Sequence, residues 1–265
     1  MAKSGAERRE PGASVYLVGF KQYSLISRRT VVAAGAGLAL GACSQSPEAR
    51  KELILWAWER PEDLRFLGAA EAGRTSVAVL VATVRIEARG WTLSPRHVPA
   101  RISPDVRVIP VVRVEAGADA VLPVVEEVTS EILKVVGRDF DTLQLDFDAP
   151  ASWRGFYREA LAALRPRVKR LSVTALASWC MEDRWMGDLP VDEIVPMLFR
   201  MGPEGWRIRE RLKASGRFVE PRCRESVGVA TDEAAVIPPG ARRVYVFHPR
   251  AWDEESFEQF SRPLR

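Results

Sequence analysis

From residue 53 to residue 247 the chain repeats one theme, a short apolar run followed by a polar or amphipathic segment, and it does so eight times. The runs are 53–58, 77–86, 107–114, 142–147, 171–177, 193–200, 226–231 and 243–247, and their length and Val/Ile/Leu content mark them as strands. Between the third and fourth, Val121, Val124, Val125, Val128, Ile132, Leu133 and Val136 fall on one helical face. After the fourth, Trp153, Phe156, Tyr157, Leu161, Leu164 and Val168 recur at helical spacing, with Pro166 near the end. Segments 62–72, 205–215 and 252–261 supply shorter helices. Strands that alternate with helices form a parallel sheet, and eight such units close on themselves. The expectation is therefore an α/β fold, a (β/α)8 barrel of the TIM type, for which the length of 265 residues is suitable. One irregularity is expected after the second strand, where 87–106 carries Gly90, Pro95, Pro99 and Pro104 and lacks a helix pattern. The connections after the fifth and seventh strands are short, and an open doubly wound sheet is the alternative architecture.

The first 43 residues read differently. Residues 21–29 are polar and basic, 31–40 form an Ala/Gly/Val/Leu run, and Leu40-Gly41-Ala42-Cys43 follows directly, which is the layout of an export signal. The apolar run is shorter than the roughly 20 residues a transmembrane helix needs. Small residues before a cysteine resemble the bacterial lipoprotein cleavage box, which implies lipidation of Cys43 and a membrane anchor there. Ser27-Arg28-Arg29-Thr30 resembles a twin-arginine signal, an ordinary basic leader being the plainer reading. The division expected is a leader over 1–43 and a single barrel domain over 44–265. The formal charge of +4 and pI near 9.1 invite a nucleic-acid partner. The leader, however, takes six of the 39 basic and two of the 35 acidic residues with it, so the remainder is balanced and nucleic acid is rejected as a partner.

Besides Cys43 the chain has Cys180 and Cys223. The strand assignment puts Cys180 just after one strand and Cys223 just before another, at opposite ends of parallel strands, so no bridge is expected. His97 and His248 are the only histidines, no zinc spacing exists, and no motif calls for a cofactor.

In such barrels the functional residues gather at the C-terminal ends of the strands. Those ends carry Glu59, Arg113, Glu115, Asp146, Asp148, Trp179, Arg200, Glu233 and His248. Each also has a plainer role: Glu59 as a helix-start carboxylate, Arg113 and Glu115 as an ion pair, Trp58 and Trp179 as packing, His248 as a satisfied structural histidine. The fourth run is harder to explain so. Gln144, Asp146 and Asp148 share one face of the strand while Leu143, Leu145 and Phe147 share the other, so two acids converge at one strand end. Adjacent carboxylates repel, one pKa rises, and a protonated acid beside a charged partner suits glycoside hydrolysis. The competing reading is an ion-pair network with Arg113 and Arg200.

The run Asp141-Thr142-Leu143-Gln144-Leu145-Asp146-Phe147-Asp148 resembles the fourth-strand pattern Asp-Gly-x-Asp-x-Asp-x-Glu of family 18 glycoside hydrolases, the chitinase-like barrels. The resemblance implies that Asp148 stands at the proton donor's position and Asp146 at that of the supporting aspartate. Met197-Leu198-Phe199-Arg200 is similar to that family's Met-x-Tyr-Asp. The chain departs from the pattern at Asp148, one methylene shorter than Glu, at Gln144, which replaces a carboxylate, and at Phe199-Arg200. A resemblance over nearly all of the mature chain rests on Leu55-Trp56-Ala57-Trp58-Glu59-Arg60, Val112-Arg113-Val114-Glu115, Gln144 through Asp148, Thr174 through Cys180, and Pro196 through Gly202. These look like the bacterial domain-of-unknown-function family 3142, which implies an exported barrel.

Two functional readings follow. In the first, a lipid-anchored envelope protein acts on a polysaccharide, with Asp148 as acid, Asp146 tuning it, Glu59 or Glu115 as a second carboxylate, and Trp58, Arg113, Gln144, Trp179, Arg200 and His248 binding the substrate. In the second, the barrel binds glycan or a partner protein without turnover. An Asp148 locked against Arg113 or Arg200 counts for a structural role.

Overall fold

A computed structural model describes residues 51–148 and 150–264. Cys43, the paired Arg28-Arg29 and the rest of the expected leader lie outside these residues. The elements in chain order are β1 (Glu52–Ala57), β2 (Glu62–Leu64), β3 (Thr75–Glu87), β4 (Gly90–Pro95), β5 (Ala100–Ile102), β6 (Arg107–Ala116), α1 (Val125–Val136), β7 (Thr142–Asp148), α2 (Arg154–Leu164), β8 (Arg170–Leu176), α3 (Ala177–Met181), β9 (Glu193–Met197), α4 (Gly205–Ser215), β10 (Ser226–Ala230), β11 (Arg243–Phe247) and α5 (Glu254–Ser261).

All eight apolar runs are strands of one ring, β1-β3-β6-β7-β8-β9-β10-β11, parallel throughout. β1 pairs with β3 on one side (Leu53↔Thr75 through Ala57↔Val79) and with β11 on the other (Glu52↔Arg243 through Leu55↔Val246). The ring is therefore closed, and the open sheet is excluded. The second connection is irregular, as its Gly and Pro content implied. β4 turns back antiparallel on β3, and β5 pairs in parallel with the distant β2. Among the described residues, no helix is long and apolar enough to cross a membrane.

Three local expectations need correction. The segment 62–72 is the strand β2 and a 3-10 turn at Ala69–Glu71 rather than a helix, because Glu62 and Leu64 are drawn inward and β2 has a strand partner in β5. Val121 and Val124 precede α1 and are exposed. Cys180 and Cys223 form a disulfide, with Cα atoms 6.0 Å apart. Strand ends mislead here because neither cysteine is on a strand. Cys180 lies in α3, within the connection to β9, and the 3-10 turn Pro221–Cys223 comes to meet that connection. The Glu220 N–H donates to the Cys180 carbonyl at 3.0 Å, and Arg222 donates to the carbonyls of Gly187 and Leu189 at 2.8 and 2.7 Å.

The core has two parts. Between the ring and its helices lies a large apolar layer that includes Leu145, Phe147, Tyr157, Leu161 and Ile132. Inside the ring, Ile54, Trp56, Ala78, Leu80, Ile109, Val111, Val195 and Tyr245 form a second one. Trp56 dominates the interior, and Gly228 makes room for it: a Cβ at 228 would stand 2.9 Å from the indole. At the N-terminal end the interior is closed by polar residues. Glu193 accepts from Arg243 Nη1 (2.6 Å), Ser226 Oγ (2.6 Å) and Tyr245 Oη (2.9 Å). Glu52 accepts from Ser76 Oγ (2.8 Å), Arg243 Nε (3.0 Å) and Arg107. A carboxylate with this many donors can be buried without a large net penalty.

Candidate functional site

At the C-terminal end, β3, β4, β6 and β7 rise into a wall. A bulge at Val81 rephases β3, so that Ala82 pairs with Val112 and everything above it changes face relative to Leu80. Cross-strand registers then set two rows on one face, Ser94-Thr83-Arg113-Asp146 and Thr92-Arg85-Glu115-Asp148. The opposite face carries Val84, Ile86, Val112, Val114 and Phe147, all buried. The sequence thus builds a sheet that is apolar behind and charged in front.

Arg113 is the hub of the charged face. Its Nη2 donates to Asp148 Oδ2 at 2.9 Å, and its Nε lies 3.1 Å from Glu115 Oε1 and 3.6 Å from Asp146 Oδ2 without a well-aligned hydrogen bond to either. Arg85 Nε donates to the other oxygen of Glu115 at 3.0 Å. Asp146 is buried, and Thr174 Oγ1 on β8 donates to its Oδ1 at 2.7 Å. Burial pushes the Asp146 carboxyl above the usual range. The Thr174 hydrogen bond and the Arg113 charge oppose that rise without cancelling it, and the negative charges of Asp148 and Glu115 add to it. Asp148, with a side chain 70% exposed, is held by Arg113 in the geometry of an ion pair rather than that of an acid facing substrate.

Next to the wall lies an aromatic surface. Phe199 and Phe247 stack with centroids 5.5 Å apart and planes 4° apart, and the Trp58 ring is 6.4 Å from Phe247. The guanidinium carbons of Arg60 and Arg200 lie 5.9 and 6.0 Å from the Phe247 centroid. Arg200 has a left-handed backbone (φ 53°), uncommon for a residue with a Cβ. Its N–H and Nη1 both donate to Glu233 Oε1 (3.0 and 2.6 Å) and its Nη2 to Asp232 (2.6 Å), which fixes that turn. Partial burial pushes the Glu233 carboxyl up, but the hydrogen bonds from Arg200 outweigh it and hold the group below its usual range.

The remaining candidates stand apart. Gln144 is fully buried, its Oε1 accepting from Trp56 Nε1 (2.8 Å) and its Nε2 donating to Ser172 Oγ (3.1 Å), so both ends of its amide are engaged inside the ring. His248 is buried beside Trp252 and shares a 2.7 Å hydrogen bond with Thr231 through Nδ1. Burial and the charges of Arg250 and Arg60 hold its pKa below the usual histidine value. Trp179 is buried edge-on against Trp185, 5.0 Å between centroids. Glu59 is exposed and shares a shallow cleft with Thr83, Ser94 and Arg96 at the foot of the wall. The candidates therefore form a wall cluster (Asp146, Asp148, Arg113, Glu115), an aromatic cluster (Trp58, Arg200) and four separate positions. Sequence reasoning passed over Phe247, the last residue of the eighth run, and Thr174, although Ser172 and Thr174 alternate with Leu171, Val173 and Ala175 in a way that marks inward polar positions.

A pocket of about 90 Å³ lies at the opposite end, lined by Glu52, Glu71, Arg74 and Thr75 among others. It adjoins the first described residue and sits on the face where barrels of this kind carry stability rather than chemistry. Among the described residues, no group of three or more His, Cys, Asp or Glu is arranged to hold a metal ion. No family model matches the chain. No curated protein matches it either.

Proposed function

We propose that this chain is an exported, lipid-anchored envelope protein, related to the bacterial domain-of-unknown-function family 3142, that binds a polysaccharide at the C-terminal mouth of its barrel without turning it over. The observation that carries the reading is the pairing of an aromatic surface (Trp58, Phe199, Phe247) with a wall of fixed donors and acceptors. Sugar rings offer apolar faces and hydroxyl edges, and this combination meets both. The ion pair between Arg113 and Asp148 favours binding over hydrolysis, because the residue at the acid's position already has a partner. A second reading, residual glycoside hydrolysis, is favoured by one observation: Asp146 is a buried carboxyl with a raised pKa, the property a general acid needs. Export is supported by the leader pattern and by the buried disulfide, since such bridges persist in oxidising compartments.

Titrating the purified protein against a panel of envelope and storage glycans tests the reading. Binding without product release is expected, and Trp58→Ala should weaken it at least about tenfold. Release of reducing ends that disappears in Asp146→Asn would favour the hydrolase instead. Failure of every glycan to bind would refute both. For the anchor, a Cys43→Ala variant should leave the membrane fraction.

A further inference from the structure

One arginine ties the wall to the aromatic surface. β4 ends at Pro95, and the next residue, Arg96, donates its backbone N–H to the Val81 carbonyl at 2.8 Å. Val81 is the residue left out of the register between β3 and β6, so Arg96 is seated beside the bulge that rephases the wall. From there its half-buried guanidinium reaches to the exit of β1. Nη1 donates to the Trp58 carbonyl and, more loosely, to those of Ala57 and Leu80 at 3.3 Å. Nη2 donates to the Arg60 carbonyl at 2.5 Å and Nε to the Val98 carbonyl at 2.8 Å. All five acceptors are main-chain oxygens, and they belong to three stretches of backbone: the exit of β1, the stem of the wall and the turn after β4. Residues 58–61 lie in neither strand nor helix, so the order of this stretch depends on such bonds. The stretch carries Trp58, whose ring stacks on Trp56 at 6.3 Å and lies 6.4 Å from Phe247. It also carries Arg60, whose side chain donates to the His248 and Pro249 carbonyls and lies 5.9 Å from the Phe247 centroid.

We propose that Arg96 is the positioning residue of the mouth: it fixes the backbone that carries Trp58 against the wall before any ligand arrives, so that a sugar meets a preset spacing between the aromatic surface and the polar face. The inference rests on the glycan-binding reading above and adds to it a residue that acts through Trp58 rather than by touching the ligand. Order established in the free protein is order that binding does not have to impose. Lysine is no substitute, because the acceptors surround a planar fork whereas an ammonium donates from a single point.

The test is a double-mutant cycle read by calorimetry. The probes are hexasaccharides of chitin, cellulose and starch and a peptidoglycan tetrasaccharide, and the one that the wild type binds most tightly is carried through the cycle. Arg96→Lys should bind it at least about tenfold more weakly than the wild type, whereas in a Trp58→Ala background the same change should weaken binding by less than about twofold. Losses of equal size in the two backgrounds would mean that Arg96 only supports the fold, and overturn the proposal. Unchanged affinity in Arg96→Lys overturns it likewise, and in both cases the glycan-binding reading stands. A second measurement needs no Arg96 variant to fold. In the free wild-type protein the Trp58 indole N–H, identified by its absence from the NMR spectrum of Trp58→Ala, should show no microsecond-to-millisecond exchange in relaxation dispersion. Exchange at that position overturns the proposal. Failure of all four probes to bind the wild type also overturns it, and failure of the wider glycan panel would overturn the reading on which it rests.

Discussion

The two ends of the barrel both bury charge, but they do so in different ways. At the N-terminal end, Glu193 and Glu52 each accept from three side chains, and apart from Arg243 Nη2 the donors of that network are met. At the C-terminal end, Arg113 Nε, Arg154 Nε, Tyr157 Oη, Trp185 Nε1 and Arg209 Nε are all unmet. A filled network holds a fold together, whereas a buried donor without a protein partner lowers the stability of the end that carries it unless water or a ligand meets it. The difference is in keeping with the division of labour in barrels of this kind, one end serving stability and the other, under the reading proposed above, recognition.

The comparison is broken most severely by Glu193→Ala. It strips three donors of their acceptor and leaves Arg243 short of a partner in the interior, so a loss of roughly 3–5 kcal/mol is expected in chemical denaturation. A mere 1 kcal/mol would mean that water replaces the network and that the two ends are alike. Removing the bridge comes next. The Cys180→Ala/Cys223→Ala variant opens a connection of 43 residues and should lose about 2–4 kcal/mol by the same measurement, with the aromatic cluster around Trp179 loosened as judged by tryptophan fluorescence.

Asp146→Asn should have a smaller effect, and one that depends on pH. The folded carboxyl titrates above its unfolded value near 3.8, so the native state holds the proton more tightly. The stability this brings is complete below that value and is lost as pH rises through the raised folded value. The variant should therefore flatten the decline in stability above about pH 4, and melting curves from pH 4 to 8 provide the check. Unchanged slopes would mean that Asp146 is better solvated than its burial implies. Asp148→Asn should change stability least, by under about 1 kcal/mol, because its ion pair with Arg113 is largely open to water.

The ring itself was legible because period and composition are local properties, and each of the eight strands carries its own Val/Ile/Leu signature. What was hidden depends on partners far away in sequence. Segment 62–72 has helical-looking spacing, but Glu62 is claimed by Arg60 and by the Trp252 N–H, and Glu62–Leu64 pairs with Ala100–Ile102. Gln144 reads as a mouth residue until Trp56, 88 positions earlier, takes its carbonyl. The bridge was missed because a five-residue helix moved Cys180 off the strand end that the sequence suggested. The packing of Arg154 and Tyr157 against Trp185 was invisible for the same reason: it needs the spatial meeting of two connections, which no single window of sequence contains.

The contacts between Glu62 and Trp252 set a clock as well as a geometry. β1 acquires its second neighbour only from β11, and Arg60 and Glu62 find their acceptor carbonyls and amide only in residues 248–252. A ribosome adding roughly 5–20 residues per second needs on the order of 10–40 s to travel from one to the other. Throughout that interval the first strand has an open edge, and the ring closes only once the residues of β11 have been made.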